Sequence, residues 1–94
     1  MNDKVYIGEV DGIVTSCRDR EFDGKQNGRH YKLTETEFFC LSKNFSGILR
    51  DWDMSVKSDT LKPGTKIVVK FYRAQPVRGM SSLFEFTGVP VVVK

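Results

Sequence analysis

Histidine and cysteine are scarce in this chain. One histidine, His30, and two cysteines, Cys17 and Cys40, occur in 94 residues. Structural zinc normally takes four Cys, His or acidic ligands at recognisable spacings, and neither a CxxC pair nor a histidine pair is present. No metal and no other cofactor is therefore expected. A serine elbow, a phosphate-cradling glycine loop and a dinucleotide glycine pattern are all missing, so an enzyme is not expected either. No apolar run approaches the ~20 residues of a membrane span. The opening "MNDKVYIGEV" lacks the apolar core of a signal peptide. These absences lead to the expectation of a cytoplasmic protein with reduced thiols and no membrane partner.

What is present is charge, aromatic surface and strand periodicity. The length fits one domain, residues 1–94, with a modest core. Aromatic residues make up 12% of the chain, too many for a disordered tail. The net charge of +3 is unevenly spread. From Leu61 onward six basic residues face one acid, Glu85, a balance of +5, whereas residues 1–60 hold nine basic and eleven acidic side chains, a balance of −2. Such asymmetry suggests an electropositive surface offered to a polyanion, and a sequence pI near 9.0 suits a nucleic-acid binder.

Five strands can be read, and no helix. Residues Lys4–Ser16 alternate around Val5, Ile7 and Val14, with Gly8 and Gly12 read as bulges or bends. A polar segment follows and ends in Asn27-Gly28, a hairpin signal because both residues tolerate positive φ. His30–Ser42 alternates, with Tyr31, Leu33, Phe39 and Leu41 on one parity. After the short turn "KNFSG", Ile48–Lys57 reads as a strand, with Ile48, Trp52, Met54 and Val56 on one side. Pro63-Gly64 signals a type II turn. Lys66–Gln75 is rich in β-branched and aromatic residues. A turn at "PVRGMS" leads to a last strand in which Pro90 belongs on a sheet edge or bulge. The expected fold is all-β: a small five-stranded antiparallel barrel of the OB type with protruding hairpins. SH3-like barrels and small sandwiches fit the same alternation.

The candidate binding residues cluster around the first hairpin. Arg18, Arg20, Lys25, Arg29 and Lys32 lie within fifteen residues. Asp19, Glu21 and Asp23 interleave with them, and on a twisted hairpin the two sets can point in opposite directions. Guanidinium groups are planar and multidentate and suit phosphates. Tyr31 and Phe22 supply flat rings that can stack a base or pack across strands. Arg73 and Arg78 form a second basic group, and Phe45 precedes Arg50. Trp52 reads as core by its parity. Glu35 and Glu37 share a strand face and so form a possible carboxylate pair, for which a solvated face is the plainer reading. The same holds for Asp51 and Asp53, which can also discourage edge pairing.

The run Gly28-Arg29-His30-Tyr31-Lys32-Leu33-Thr34-Glu35 resembles the Gly-basic-x-Tyr-x-Leu-x-Glu motif of the filamentous-phage single-stranded-DNA-binding proteins, the gene V or helix-destabilising type. "FSGILR", "LKPGTKIVVKFY" and "RGMSSLFEF" resemble later segments of that family, so that the likeness spans about residues 24–94. The resemblance implies an OB-like fold, a two-fold dimer, and cooperative, sequence-independent binding of single-stranded DNA before packaging in the host cytoplasm. It places Tyr31 and Leu33 against bases, Arg29 in the binding wing, Arg50 on phosphate and Phe45 near the strand. Two departures stand out. Arg78 occupies the position of an aromatic, and a basic residue is missing around Thr87-Gly88.

The partner expected is thus single-stranded DNA, or RNA by the same chemistry, bound by a homodimer. Protruding hairpins leave apolar surface for a second copy, with Pro76–Ser81 as an exchange element. The alternative is a protein-interaction module that docks a partner by a sheet edge, using Lys66–Gln75 and Ser82–Val93.

Overall fold

A computed structural model describes residues 5–80 and 82–93. Lys4 and Ser81, which bound two of the expected segments, lie outside the described residues. Among the described residues five strands form: β1 (Gly8–Asp23), β2 (His30–Cys40), β3 (Phe45–Asp51), β4 (Lys66–Pro76) and β5 (Leu83–Val92). They pair in one closed ring in the order β1-β2-β3-β5-β4. The ring is not wholly antiparallel as expected. β3 runs parallel to β5, and the other four pairings are antiparallel. The long β3–β4 connection makes this possible, because parallel neighbours need a crossover rather than a tight hairpin.

Alternation decides what enters the core. Val10 and Val14 of β1, Phe38 and Cys40 of β2, Leu49 of β3, Ile67 and Val69 of β4 and Phe86 of β5 are buried together. Leu61, from the connection after a single 3₁₀ turn (Ser58–Thr60), joins the same cluster, and Val56 packs on it. The inward parity of β2 is therefore the even one. Its odd residues Tyr31, Glu35, Glu37 and Phe39 face outward, as each inward neighbour requires.

Phe38 explains two of the glycines. Its ring is 1% exposed, and a Cβ at either Gly12 or Gly47 would overlap it. Gly12 therefore makes room for the ring instead of forming a bulge. The irregularity in β1 falls between Val14 and Ser16. At Pro63-Gly64 the expected turn forms, with φ +93° at Gly64 and the Thr65 amide donating to the Lys62 carbonyl at 3.0 Å. Pro90 lies past Thr87, the last β5 residue paired with β3, so β5 is bonded on one side only there, as expected of a proline in a strand.

Two strands differ most from expectation in their bounds. β1 continues through the polar residues to Asp23, because β2 supplies a bonded partner along that whole length. β3 starts earlier, at Phe45, and stops at Asp51 instead of running to Lys57. Asp51 is 1% exposed. Its carboxylate accepts the amides of Asp53 (3.1 Å) and Ser55 (2.9 Å) and the Ser55 hydroxyl (2.6 Å), which turns the chain out of the sheet. It is neither a solvated acid nor an edge guard.

The edges read as docking sites are occupied over about half of each strand. β4 is bonded to β1 over Lys66–Phe71 and β5 to β3 over Leu83–Thr87, while β4 and β5 also bond each other.

Replacing Gly47 by alanine is expected to cost about 1–3 kcal/mol by overpacking against Phe38. In urea denaturation, Phe38→Leu combined with Gly47→Ala should lose less than the two single losses added together. Strict additivity would mean that the ring and the glycine do not meet.

Candidate nucleic-acid interface

The register of the ring brings one row of side chains across all five strands. Arg18 of β1 pairs with Glu35 of β2, Glu35 with Arg50 of β3, Arg50 with Thr87 of β5, and Thr87 with Arg73 of β4. Each step spans roughly 4.8 Å across the sheet. Arginines that lie 55 residues apart in sequence thus share one outer face.

Glu35 is the centre of the row. Its side chain is 7% exposed, while that of Arg18 is 69% exposed. Arg18 donates to Oε1 at 3.0 Å through Nη2 and at 3.3 Å through Nε. Arg20 donates to Oε2 at 3.1 Å, and Arg50 Nε lies 3.6 Å from the same oxygen. Burial pushes the Glu35 carboxyl up, but the bonds from Arg18 and Arg20 and their charges outweigh it and hold it below the usual carboxylate range. Arg50 also meets Glu85 at 2.9 Å. On this face, the four arginines 18, 20, 50 and 73 outnumber the two carboxylates that engage them, and Arg73 has no ion pair among the described residues.

An aromatic group stands beside the row. Phe22 and Tyr31 are cross-strand partners whose rings stack, with centroids 5.6 Å apart and planes at 28°. Trp52 meets both edge-on, at 5.7 Å and 6.2 Å. The Asp51-anchored turn is what carries Trp52 onto this face, so it is not a core residue as its parity implied. Phe22 and Trp52 are 39% and 40% exposed. The hairpin turn fixes Tyr31: Asn27 Nδ2 donates to its hydroxyl at 2.8 Å, and a Cβ at Gly24 would meet its ring at 2.7 Å.

The opposite face of the same hairpin is acidic. Asp19 accepts from Thr34 at 3.3 Å. Glu21 meets Lys32 at 3.5 Å. Asp23 meets His30 at 2.9 Å. Strand alternation thus separates Arg18, Arg20 and Phe22 from Asp19, Glu21 and Asp23.

The remaining candidates divide. Lys32 sits on the acidic face, away from the arginine row. Leu33 is 2% exposed and is closed to any ligand in this arrangement. Phe45 points inward, packing against Phe84 at 5.2 Å and Phe86 at 5.8 Å. Lys25 and Arg29 are exposed around the hairpin turn, and Arg78 is exposed at the tip of the β4–β5 hairpin, where Met80 N donates to the Val77 carbonyl. Glu35 and Glu37 do not act as a pair, since Glu37 accepts from Ser16 at 2.6 Å and Glu35 is held by arginines. Sequence reasoning missed Trp52 and the organising role of Glu35. The signal for Trp52 was the polar spacing of Asp51 and Ser55 around it.

No family model matches the chain, and neither a curated protein nor a solved structure matches it.

His30 has its pKa raised: the hydrogen bond with Asp23 is the largest cause, burial opposes it, and the charges of Asp23 and Glu21 add to the rise. An NMR titration should therefore place it above the ordinary imidazole value of about 6.5. Asp23→Asn should bring it back down. The linked stability is fully present below the unfolded value and is lost as pH rises through the folded one. A folded-state value at or below the ordinary one would contradict this pairing.

Proposed function

We propose that this protein binds single-stranded nucleic acid with little dependence on sequence. The carrying observation is the cross-strand arginine row with exposed Phe22 and Trp52 and half-buried Tyr31 beside it. Phosphates are neutralised by guanidinium groups, and released counterions supply much of the affinity. Unpaired bases stack on rings at roughly 1–3 kcal/mol each, whatever their identity. Duplex bases are already stacked and cannot use those rings.

The ring order, with its parallel β3–β5 pair and protruding β1–β2 hairpin, supports reading the fold as an OB-like barrel, a scaffold that suits oligonucleotides. The resemblance to the filamentous-phage single-stranded-DNA-binding proteins supports the same reading. Within it the protein coats replicated phage strands in the host cytoplasm as a cooperative homodimer. The motif tyrosine, Tyr31, belongs to the ring cluster, and Arg50 belongs to the row. Arg29, Lys25 and Arg78 extend the cationic surface at the hairpin tips. Exposed Val5, Ile7, Met80 and Val93 leave apolar surface for a second copy.

Fluorescence anisotropy with oligothymidylate and a matched duplex tests this directly. Single strands should bind more tightly, and log affinity should fall with log salt by roughly 0.7 per phosphate contact. The double variant Arg18→Ala/Arg20→Ala should lower that slope by about 1.4. Trp52→Ala should weaken binding about 5- to 100-fold, with Trp52→Phe recovering most of it. Equal or stronger binding to duplex would overturn the proposal. Sedimentation at micromolar concentration should show a dimer, and a monomer there would remove the second copy.

A further inference from the structure

Beside the arginine row, β3, β4 and β5 enclose a depression of about 210 Å³ lined by Arg50, Trp52, Arg73, Gln75, Glu85 and Thr87. Two cross-strand rows meet in it. Arg50, Thr87 and Arg73 come from the first, and Glu85 with its partner Gln75 from the next. Its volume suits one nucleobase and is small for two.

The polar groups here are not an indifferent lining. Glu85 Oε2 receives both Arg50 Nη1, at 2.9 Å, and Gln75 Nε2, at 3.3 Å. Those contacts fix the carboxylate while leaving Oε1 without a partner among the described residues. Donation of the Gln75 amide nitrogen likewise leaves its carbonyl oxygen to accept. Arg73 carries donors with no ion pair among the described residues. The depression therefore offers two acceptors and a cationic donor beside the Trp52 ring.

We propose that this depression is a single-base subsite that favours guanine within an otherwise sequence-indifferent trough. Guanine presents two adjacent N–H donors, at N1 and N2, next to the acceptor O6. The donors match Glu85 Oε1 and the Gln75 carbonyl, and O6 matches Arg73. Thymine offers one N–H between two carbonyls and would leave an acceptor facing Glu85, which costs affinity because a buried acceptor pair cannot share a proton. Cytosine and adenine offer a single amino group and no second adjacent donor. The base would stack on Trp52 while its edge is read. This inference rests on the reading of the protein as a single-strand binder and adds to it one position at which base identity matters.

Trp52 is the one tryptophan in the chain, so its fluorescence reports this subsite. The probes are a short oligothymidylate, the same oligomer with one central guanine, and the same with one central adenine, together with free dGMP and dTMP. The guanine oligomer should bind about tenfold more tightly than the other two and quench Trp52 more deeply. Free dGMP should quench in preference to dTMP. In Glu85→Gln the guanine preference should disappear, while oligothymidylate, which gains the cation freed at Arg50, should bind no more weakly than to the parent. Equal affinity for all three oligomers and both nucleotides would overturn the subsite and leave single-strand binding standing. A preference that persists in Glu85→Gln would overturn the assigned reader. Binding of no oligomer at all would overturn the underlying reading and the subsite with it. If Glu85→Gln does not fold, the nucleotide comparison in the parent protein decides alone.

Discussion

One nearly sealed carboxylate governs the outer face of this protein. Glu35 sits on β2 between β1 and β3 with 7% of its side chain exposed, and an ionised acid in such a place must be paired. Arg18, Arg20 and Arg50 do this from two neighbouring strands. The pairing works in both directions. The acid stays ionised because guanidinium groups surround it, and the guanidinium groups stand together because the acid offsets their mutual repulsion. The outward-facing donors that remain form a cationic surface gathered around one acid, and grouping charges in this way before a ligand arrives reduces the ordering cost of binding.

The rest of the architecture places this cluster and supplies its neighbours. Closure of the ring sets the register, and the register carries Arg73 from β4 into the row begun by Arg18 on β1. Phe38, fitted between Gly12 and Gly47, fills the interior beneath it. Asp51 ends β3 at the position that swings Trp52 onto the face where Phe22 and Tyr31 already stack. Charge and aromatic surface meet because three separate local constraints agree.

Much of this could be read from the residues. The alternation of Arg18, Arg20 and Phe22 against Asp19, Glu21 and Asp23 carried the division of the hairpin into two faces, since a strand has a period of two. Pro63-Gly64 gave its turn, and the β-branched run at Lys66 gave β4. Other features were hidden by interactions distant in sequence. Trp52 shares parity with Ile48, which implied a continuing strand, and only the hydrogen bonds gathered by Asp51 break it. Leu33 and Lys32 lie in the motif that resembles the phage proteins, yet packing closes the first, and the second stands beside Glu21 on the acidic face, as its place next to Tyr31 in the strand requires. Phe45, in an apparent turn, begins a strand because its ring packs with those of Phe84 and Phe86. The parallel β3–β5 contact left no local trace, because it depends on where the long connection returns the chain.

The most direct test of this account is NMR mapping of an oligothymidylate onto the isotopically labelled protein, following the arginine Nε–H signals and the Trp52 indole N–H. The account predicts that the signals of Arg18, Arg20, Arg50 and Trp52 shift together along one binding curve while the amides around Phe45 and Phe84 stay put. Shifts centred on Phe45 and Phe84, with the arginine signals unmoved, would contradict it.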